Sequence, residues 1–260
     1  MRVLPGDPAA AILGAEATPE LIAVLRQRLN LDRPIYEQYV DFWSRLLRGD
    51  FGVSLQSEMP VLGELLHRLP VTIEIAVGGG AIGALIGILL GTLSATQKET
   101  AVDYVTRGFA TLGYAMPSFW FCILLQLFFG IYLKALPISG ATSAMIQVPK
   151  LTGFNLLDSL LSGNMNYFVD TILHYILPWV SLGVFFGAPV SRLLRVNLID
   201  VMTQDYIVTA EAKGLDRRTI VFKHALRNAF LPVLTLMGLQ FTRLLGGSVI
   251  TETVFALPGL

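Results

Sequence analysis

Charged residues are fenced out of long stretches of this chain, and that distribution constrains its fold more than any other feature. None occurs from Ile75 to Gln97, from Gly108 to Leu133 or from Thr171 to Ser191, and from about Ala229 to Thr251 the one interruption among them is Arg243. A helix rises about 1.5 Å per residue, so each stretch reaches most or all of the way across the roughly 30 Å of hydrocarbon in a bilayer. The expectation is an all-α, polytopic transmembrane helix bundle with spans over about 71–97, 108–133, 171–191 and 229–251. Only 15% of the residues are charged and 53% are hydrophobic, whereas soluble domains average about 25% charged.

The same inventory excludes several functions. With 19 Lys+Arg against 19 Asp+Glu there is no basic excess to hold a nucleic acid, and none is expected as a partner. A single cysteine, Cys122, forms no internal disulfide. His67, His174 and His224 lack metal-ligand spacing, so no metal site is expected. No Gly-x-x-x-x-Gly-Lys-Ser/Thr loop occurs, so the chain is not itself a P-loop ATPase. An intramembrane protease or lipid transferase needs a Ser/His, Asp/Asp or metal constellation within its spans, and none is visible. A secondary transporter is expected to show internal repeats with broken helices, and no repeat is detected.

Orientation follows from the basic residues. The loops at 98–107 and 192–228 share one side and carry Lys98, Arg107, Arg192, Arg195, Lys213, Arg217, Arg218, Lys223 and Arg227, against only Lys134 and Lys150 in 134–170. The positive-inside bias puts the 192–228 loop in the cytoplasm and leaves residues 1–70 outside. The opening Met1-Arg2-Val3-Leu4-Pro5 turns to proline too early for a secretion signal, so a preceding membrane helix is expected to carry the segment across.

Residues 1–70 read as an extracytoplasmic helical segment, with 71–260 as the membrane domain. Thr18 suits an N-cap with Pro19 after it, and Leu21, Ile22, Val24, Leu25 and Leu29 recur on one face. A second helix is expected from Pro34 to Gly49 with Tyr36, Tyr39, Val40, Trp43, Leu46 and Leu47 inward, giving a small packed cap. The irregular stretch from Leu136 to Tyr167 should lie on the same side.

Within the first span Gly79, Gly83, Gly87 and Gly91 repeat at four-residue spacing, which lines one helix face and lets another backbone approach. Gly78-x-Gly80-x-x-Gly83 matches a dinucleotide fingerprint only formally, because no strand precedes it. Arg243 lies well inside its span, where facing lipid costs at least about 2.5 kcal/mol. Its face, shared with Gln240 three residues earlier, either lines a translocation path and attracts a carboxylate, pairs with a neighbouring helix, or snorkels to an interface. Glu74 and Glu252, near the outer span ends, are explained by interfacial placement.

The cytoplasmic stretch DYIVTAEAKGLDRRTIVFKHALRNAFLPV, from Asp205 to Val233, is the most informative. Tyr206 to Lys213 suits a helix that Gly214 ends, and Asp216 is placed to cap a second helix running toward Pro232. Such a pair projecting from a bundle offers a knob that another protein can grip; the plain alternative is a solvated charged loop serving topology alone.

At Tyr206, Thr209, Ala210, Ala212, Lys213, Gly214, Leu215, His224 to Ala229, Leu231 and Pro232 the chain resembles the EAA loop of bacterial ABC importer permeases of the dipeptide, oligopeptide and nickel family. Leu4-Pro5-Gly6-Asp7-Pro8, Gly113-Tyr114-x-Met116-Pro117-Ser118-Phe119-Trp120, Leu151-Thr152-Gly153-Phe154 and Thr251-Glu252-Thr253-Val254-Phe255 extend the likeness, most nearly to the B-type permeases of its dipeptide branch. In place of the two leading residues of the general Glu-Ala-Ala motif stand Val208 and Thr209. The family has six membrane helices, so the first and the last are expected to be missing from this chain.

The resemblance implies a type I importer permease, multi-pass in the bacterial inner membrane and without catalysis of its own. It implies pairing with a second homologous permease subunit, two cytoplasmic ABC ATPase subunits that bind ATP and Mg, and a periplasmic peptide-binding protein, all around the lipid bilayer. Tyr206, Thr209, Ala210, Glu211, Ala212, Lys213, Gly214, Leu215 and Asp216 would form the ATPase-coupling loop, with Gly214 as hinge. Dipeptides or short peptides are the implied cargo, with nickel complexes or another small solute as the alternative.

Overall fold

The computed structural model describes residues 7–14, 17–54, 57–146 and 148–260. The chain divides into two units, Met1–His67 and Arg68–Leu260. Of the Leu4 to Pro8 stretch, residues 4–6 lie outside the described residues.

In the first unit α1 (Pro8–Leu13) is capped by Asp7, whose Oδ1 accepts from the Ala9 amide at 3.0 Å. Thr18 caps α2 (Pro19–Arg28) by accepting from the Leu21 amide, and α3 (Ile35–Leu47) starts directly after Pro34. The expected packed cap is not what forms. Tyr36, Tyr39, Val40, Trp43 and Leu47 are exposed, Leu47 by 82%, and so are Leu21 and Val24. The buried side chain of α3 is instead Gln38, which donates to the carbonyls of Leu31 and Arg33 at 3.1 and 2.8 Å. Two short amphipathic helices present too little facing apolar surface to bury each other's stripe, so patterning sets the helices without setting a core.

The membrane unit is built on α4 (Val61–Thr96), α8 (Met165–Met202) and α10 (Arg217–Val254), each long and apolar enough to cross a bilayer. The expected single span over 108–133 is two limbs, α5 (Ala101–Ala115) and α6 (Ser118–Tyr132), bent by 111°. Proline disfavours helical geometry in the residue before it. Met116 accordingly lies at φ −77°, ψ 139° ahead of Pro117. The two limbs still carry the chain from one end of the bundle to the other. Asp103, on α5, bonds Ser94 near the C-terminal end of α4. Gln126, on α6, donates to the carbonyls of Ile138 and Val254, and just beyond Val254 the Leu260 amide donates to Thr72 at the other end of α4.

Pro178 and Pro189 do not interrupt α8, nor Pro232 α10. The helices also outrun the charge-free stretches, so within 192–228 only residues 203–204 and 213–216 lie outside helices. Charge marks where hydrocarbon ends, but a hydrogen-bonded helix continues into water at little cost.

Gly79, Gly83, Gly87 and Gly91 lie along the seam between α4 and α8. A Cβ on Gly83 would sit 2.7 Å from both the Gly183 carbonyl oxygen and the Phe186 Cβ, and one on Gly87 would sit 2.6 Å from Val190 Cγ1. Gly183 and Gly187 reciprocate from α8, where a Cβ on Gly187 would lie 2.7 Å from the Gly83 carbonyl oxygen. Without a hydrophobic driving force between helices in lipid, this close backbone approach supplies the packing. Gly78 lies against the Trp179 ring in mid-helix, and no strand precedes it among the described residues.

At the opposite end from Asp103, two buried carboxylates, Glu74 and Asp158, organise the segment around α7 (Asn155–Leu161). Glu74 of α4 accepts from the amides of Asn155 and Leu156, at 3.1 and 2.7 Å, and from the Tyr175 hydroxyl. It is therefore a buried cap for α7, which corrects its expected interfacial placement. Glu252 is only 2% exposed, and its carboxylate oxygens have no hydrogen-bond partner among the described residues. It too points into the bundle instead of to an interface, because Ser248, Thr251 and Glu252 share the inward face of α10.

Asp158 accepts from the amides of Leu151, Thr152 and Gly153 and from the Thr152 hydroxyl. Burial pushes this carboxyl up, but the hydrogen bonds from Thr152, Gly153 and Leu151 outweigh it and hold the group below the usual carboxylate range. A depressed folded pKa means that the stabilisation is complete above the unfolded value of about 3.9 and is lost as pH falls through the lower, folded one. Protection of the Leu151, Thr152 and Gly153 amides from hydrogen exchange should therefore persist at pH 5 and collapse only below about pH 4. Asp158→Asn should weaken that protection at every pH and remove its dependence on acid.

Candidate functional site

The elbow between α8 and α10 is where the expected coupling residues come together. Met202 ends α8, Gln204 precedes α9 (Asp205–Ala212), and Gly214 and Asp216 turn the chain into α10. Ile207 and Ala210 are the buried side chains of α9. Their three-residue spacing puts one face on the bundle and leaves Val208, Thr209, Glu211, Ala212 and Lys213 exposed.

Both ends of this short helix are chemically defined. Gly214 lies at φ +76° and a Cβ there would meet nothing within 4 Å, so backbone conformation is the reason for glycine and space is not. Its amide donates to the Glu211 carbonyl at 2.9 Å, and the Leu215 amide donates back to Ala210 at 3.3 Å, in the manner of a left-handed helix stop. Asp216 then caps α10, its Oδ2 accepting from the Thr219 amide at 3.0 Å. The hydrogen bond from Thr219 holds the Asp216 carboxyl below its ordinary range, which keeps it an acceptor.

Two further contacts tie the elbow to the bundle. The Tyr206 hydroxyl accepts from Asn228 Nδ2 at 2.8 Å, joining α9 to α10. Arg217 donates to the Thr96 carbonyl at 3.0 Å, joining α10 to the end of α4. Close by, Arg195 of α8 grips the wholly buried Asp103 with Nε at 2.7 Å and Nη2 at 2.8 Å, while Ser94 donates to the same carboxylate. Sequence reading missed this knot, since its partners lie 92 residues apart and no local pattern pairs them.

Beyond Asp216 the helix is not uniform. Ile220–Ala225 forms a wide π-type turn before α geometry resumes at Leu226. Such turns concentrate at functional sites. It begins three residues after Arg217, the first helical residue beyond the cap, and contains Lys223 and His224.

Arg243 is not brought to the elbow. It is exposed on α10, and its Nη1 donates to Gln240 Oε1 at 3.3 Å. The Ser143 hydroxyl goes to Asp170 at 2.5 Å, His174 Nδ1 faces the Asp170 carbonyl at 2.8 Å, and no hydrogen bond joins His174 to Ser143 among the described residues.

Residues 87–260 match the family described as "Binding-protein-dependent transport system inner membrane component", and residues 1–76 match its N-terminal companion. The chain is similar over its full length to the di/tripeptide transport system permease protein DppB of Pseudomonas aeruginosa, at 38% identity over 261 residues and 78% of that protein. It is 38% identical over 264 residues to the dipeptide transport system permease protein DppB of Escherichia coli K12, again covering 78% of the relative. A probable D,D-dipeptide transport system permease protein of the same strain, DdpB, is 40% identical over 261 residues, 76% of its length.

Proposed function

Because the chain belongs to the family of binding-protein-dependent transport system inner membrane components, we propose that it is the membrane-spanning permease subunit of an ATP-driven importer for dipeptides and short peptides in the bacterial inner membrane. The observation that carries the reading is the elbow: a two-turn helix stopped by Gly214, capped onward by Asp216 and bonded to both α4 and α10. It is a short rigid element with a single left-handed corner, which is what transmission of a push requires.

In this reading a second homologous permease completes the translocation path, two cytoplasmic ATPase subunits seat on the exposed face of α9, and a binding protein delivers cargo from outside. Nucleotide and Mg belong to the ATPases. Their closure presses on Thr209 to Leu215, and the Tyr206–Asn228 and Arg217–Thr96 bonds pass the displacement to α10 and α4. The rigid seam between α4 and α8 then moves as one body. Residues 1–70 are, in the same reading, the extracytoplasmic helical segment and 71–260 the membrane domain.

Ala212 is exposed on α9, while the only native thiol, Cys122, is buried. A cysteine at Ala212 should therefore cross-link to the ATPase subunit in the assembled transporter and be shielded from a bulky maleimide there. Equal labelling with and without the ATPase subunits would remove the proposed docking. For cargo, the exposed Arg243 with Gln240 is the proposed contact for the peptide carboxylate. Arg243→Gln should lower uptake of free dipeptides several-fold and barely change that of C-terminally amidated ones; equal effects on both would assign the arginine to packing.

A further inference from the structure

At the end of the bundle that holds Asp103, α5 and α8 part around a cleft of about 480 Å³. Its wall carries three arginines, Arg107 from α5 with Arg192 and Arg195 from α8. Only one is neutralised. Asp103 spends its oxygens on Arg195, Ser94 and the Glu99 amide, and the nearby Glu99 side chain pairs with Lys98. Arg107 has the Tyr104 ring at 5.8 Å, and no carboxylate pairs with it or with Arg192 among the described residues. Two cationic forks are left over, in the side-chain geometry that suits phosphate oxygens.

The hydroxyls sharpen the preference. Thr106 and Thr111 donate to carbonyls of their own helix and so offer no proton to an anion. Ser191 lines the cleft and is only 3% exposed. Its hydroxyl is a donor on the wall that the arginines share.

Depth decides the source of the anion. Arg107 directly precedes the charge-free run of α5 and α6, and Arg192 directly follows that of α8, so both sit where hydrocarbon gives way to headgroups on the basic, cytoplasmic side. Val105 and Leu112, exposed by 71% and 61% on α5, give an apolar surface beside them. We propose that this cleft binds the phosphate of an anionic phospholipid from the cytoplasmic leaflet. Arg107, Arg192 and the Ser191 hydroxyl hold the phosphate, and the acyl chains lie along α5. The inference rests on membrane embedding alone and is independent of what the elbow grips.

Native mass spectrometry of the detergent-solubilised protein, offered equal phosphatidylglycerol and phosphatidylcholine, tests it. Each basic residue at an anionic lipid surface is worth roughly fivefold, so retention of phosphatidylglycerol should exceed that of phosphatidylcholine about tenfold or more. Arg107→Gln with Arg192→Gln should abolish the preference, and the charge-preserving pair Arg107→Lys with Arg192→Lys should keep most of it, which separates binding from folding. Inorganic phosphate at millimolar concentration should fail to displace the lipid. Equal retention of both lipids, a preference that survives the glutamine pair, or displacement by inorganic phosphate would each overturn the assignment, the last by making this a soluble-anion site.

Discussion

Gly214→Val is expected to cut ATP-dependent uptake by about tenfold or more while leaving the protein in the membrane and its partners hydrolysing ATP. The reason lies in one dihedral angle. At φ +76° an L-residue costs about 1–2 kcal/mol, and a β-branched one is a still greater outlier. Valine would therefore abandon the corner, breaking the amide bonds that Gly214 and Leu215 return to Glu211 and Ala210. The Asp216 cap would then start α10 in a different direction from α9. Asparagine tolerates the left-handed region, so Gly214→Asn should keep most of the uptake. Both are read by radiolabelled dipeptide uptake alongside phosphate release in proteoliposomes. Undiminished uptake in the valine variant would mean that the corner plays no part in transmission.

Gly83→Val should be the most damaging change to stability. Its Cβ alone would meet the Gly183 carbonyl oxygen and Phe186 Cβ at 2.7 Å, and backbone cannot step aside as a side-chain tip can. Overpacking costs about 1–3 kcal/mol in ordinary cores; with two further methyl groups and a backbone wall, about 3 kcal/mol or more is expected here. That corresponds to a melting temperature lower by about 10 °C in detergent. Gly187→Ala should resemble it more mildly, since it approaches the same seam from the other helix. Gly63→Ala is the control, because a Cβ there meets nothing within 4 Å, and a small gain from helix propensity is expected. Equal melting of the Gly83 and Gly63 variants would show that the seam yields.

Local chemistry made the elbow and the seam readable in advance. The stop at Gly214, the cap at Asp216 and the four-residue glycine period each state a requirement that the chain itself displays. The bend at Met116–Pro117 was equally local but hidden by hydropathy, which reports an apolar run and is blind to the dihedral a proline imposes on its neighbour. Pro178 and Pro189 carry the same signal and leave α8 continuous, so proline alone does not say where a helix will turn. The Asp103–Arg195 knot and the Glu74 cap of α7 were out of reach for another reason. Their partners are distant in sequence, and only the finished packing of α4, α5, α7 and α8 brings them within bonding distance. The exposed stripe of α3 shows the converse, since an amphipathic pattern specifies a face without specifying what covers it.

The wide turn at Ile220–Ala225 alters how α10 must be counted. An α-helix advances about 100° per residue, whereas a π-type turn absorbs a surplus residue without that rotation. A helical wheel drawn straight through from Asp216 therefore points Arg243 in the wrong compass direction. Removing one residue inside the turn would regularise the spiral and keep Arg243 on its present bearing, while the same deletion beyond Leu226 would swing everything downstream by about 100°. The turn is thus the one place in α10 where length can change without altering azimuth.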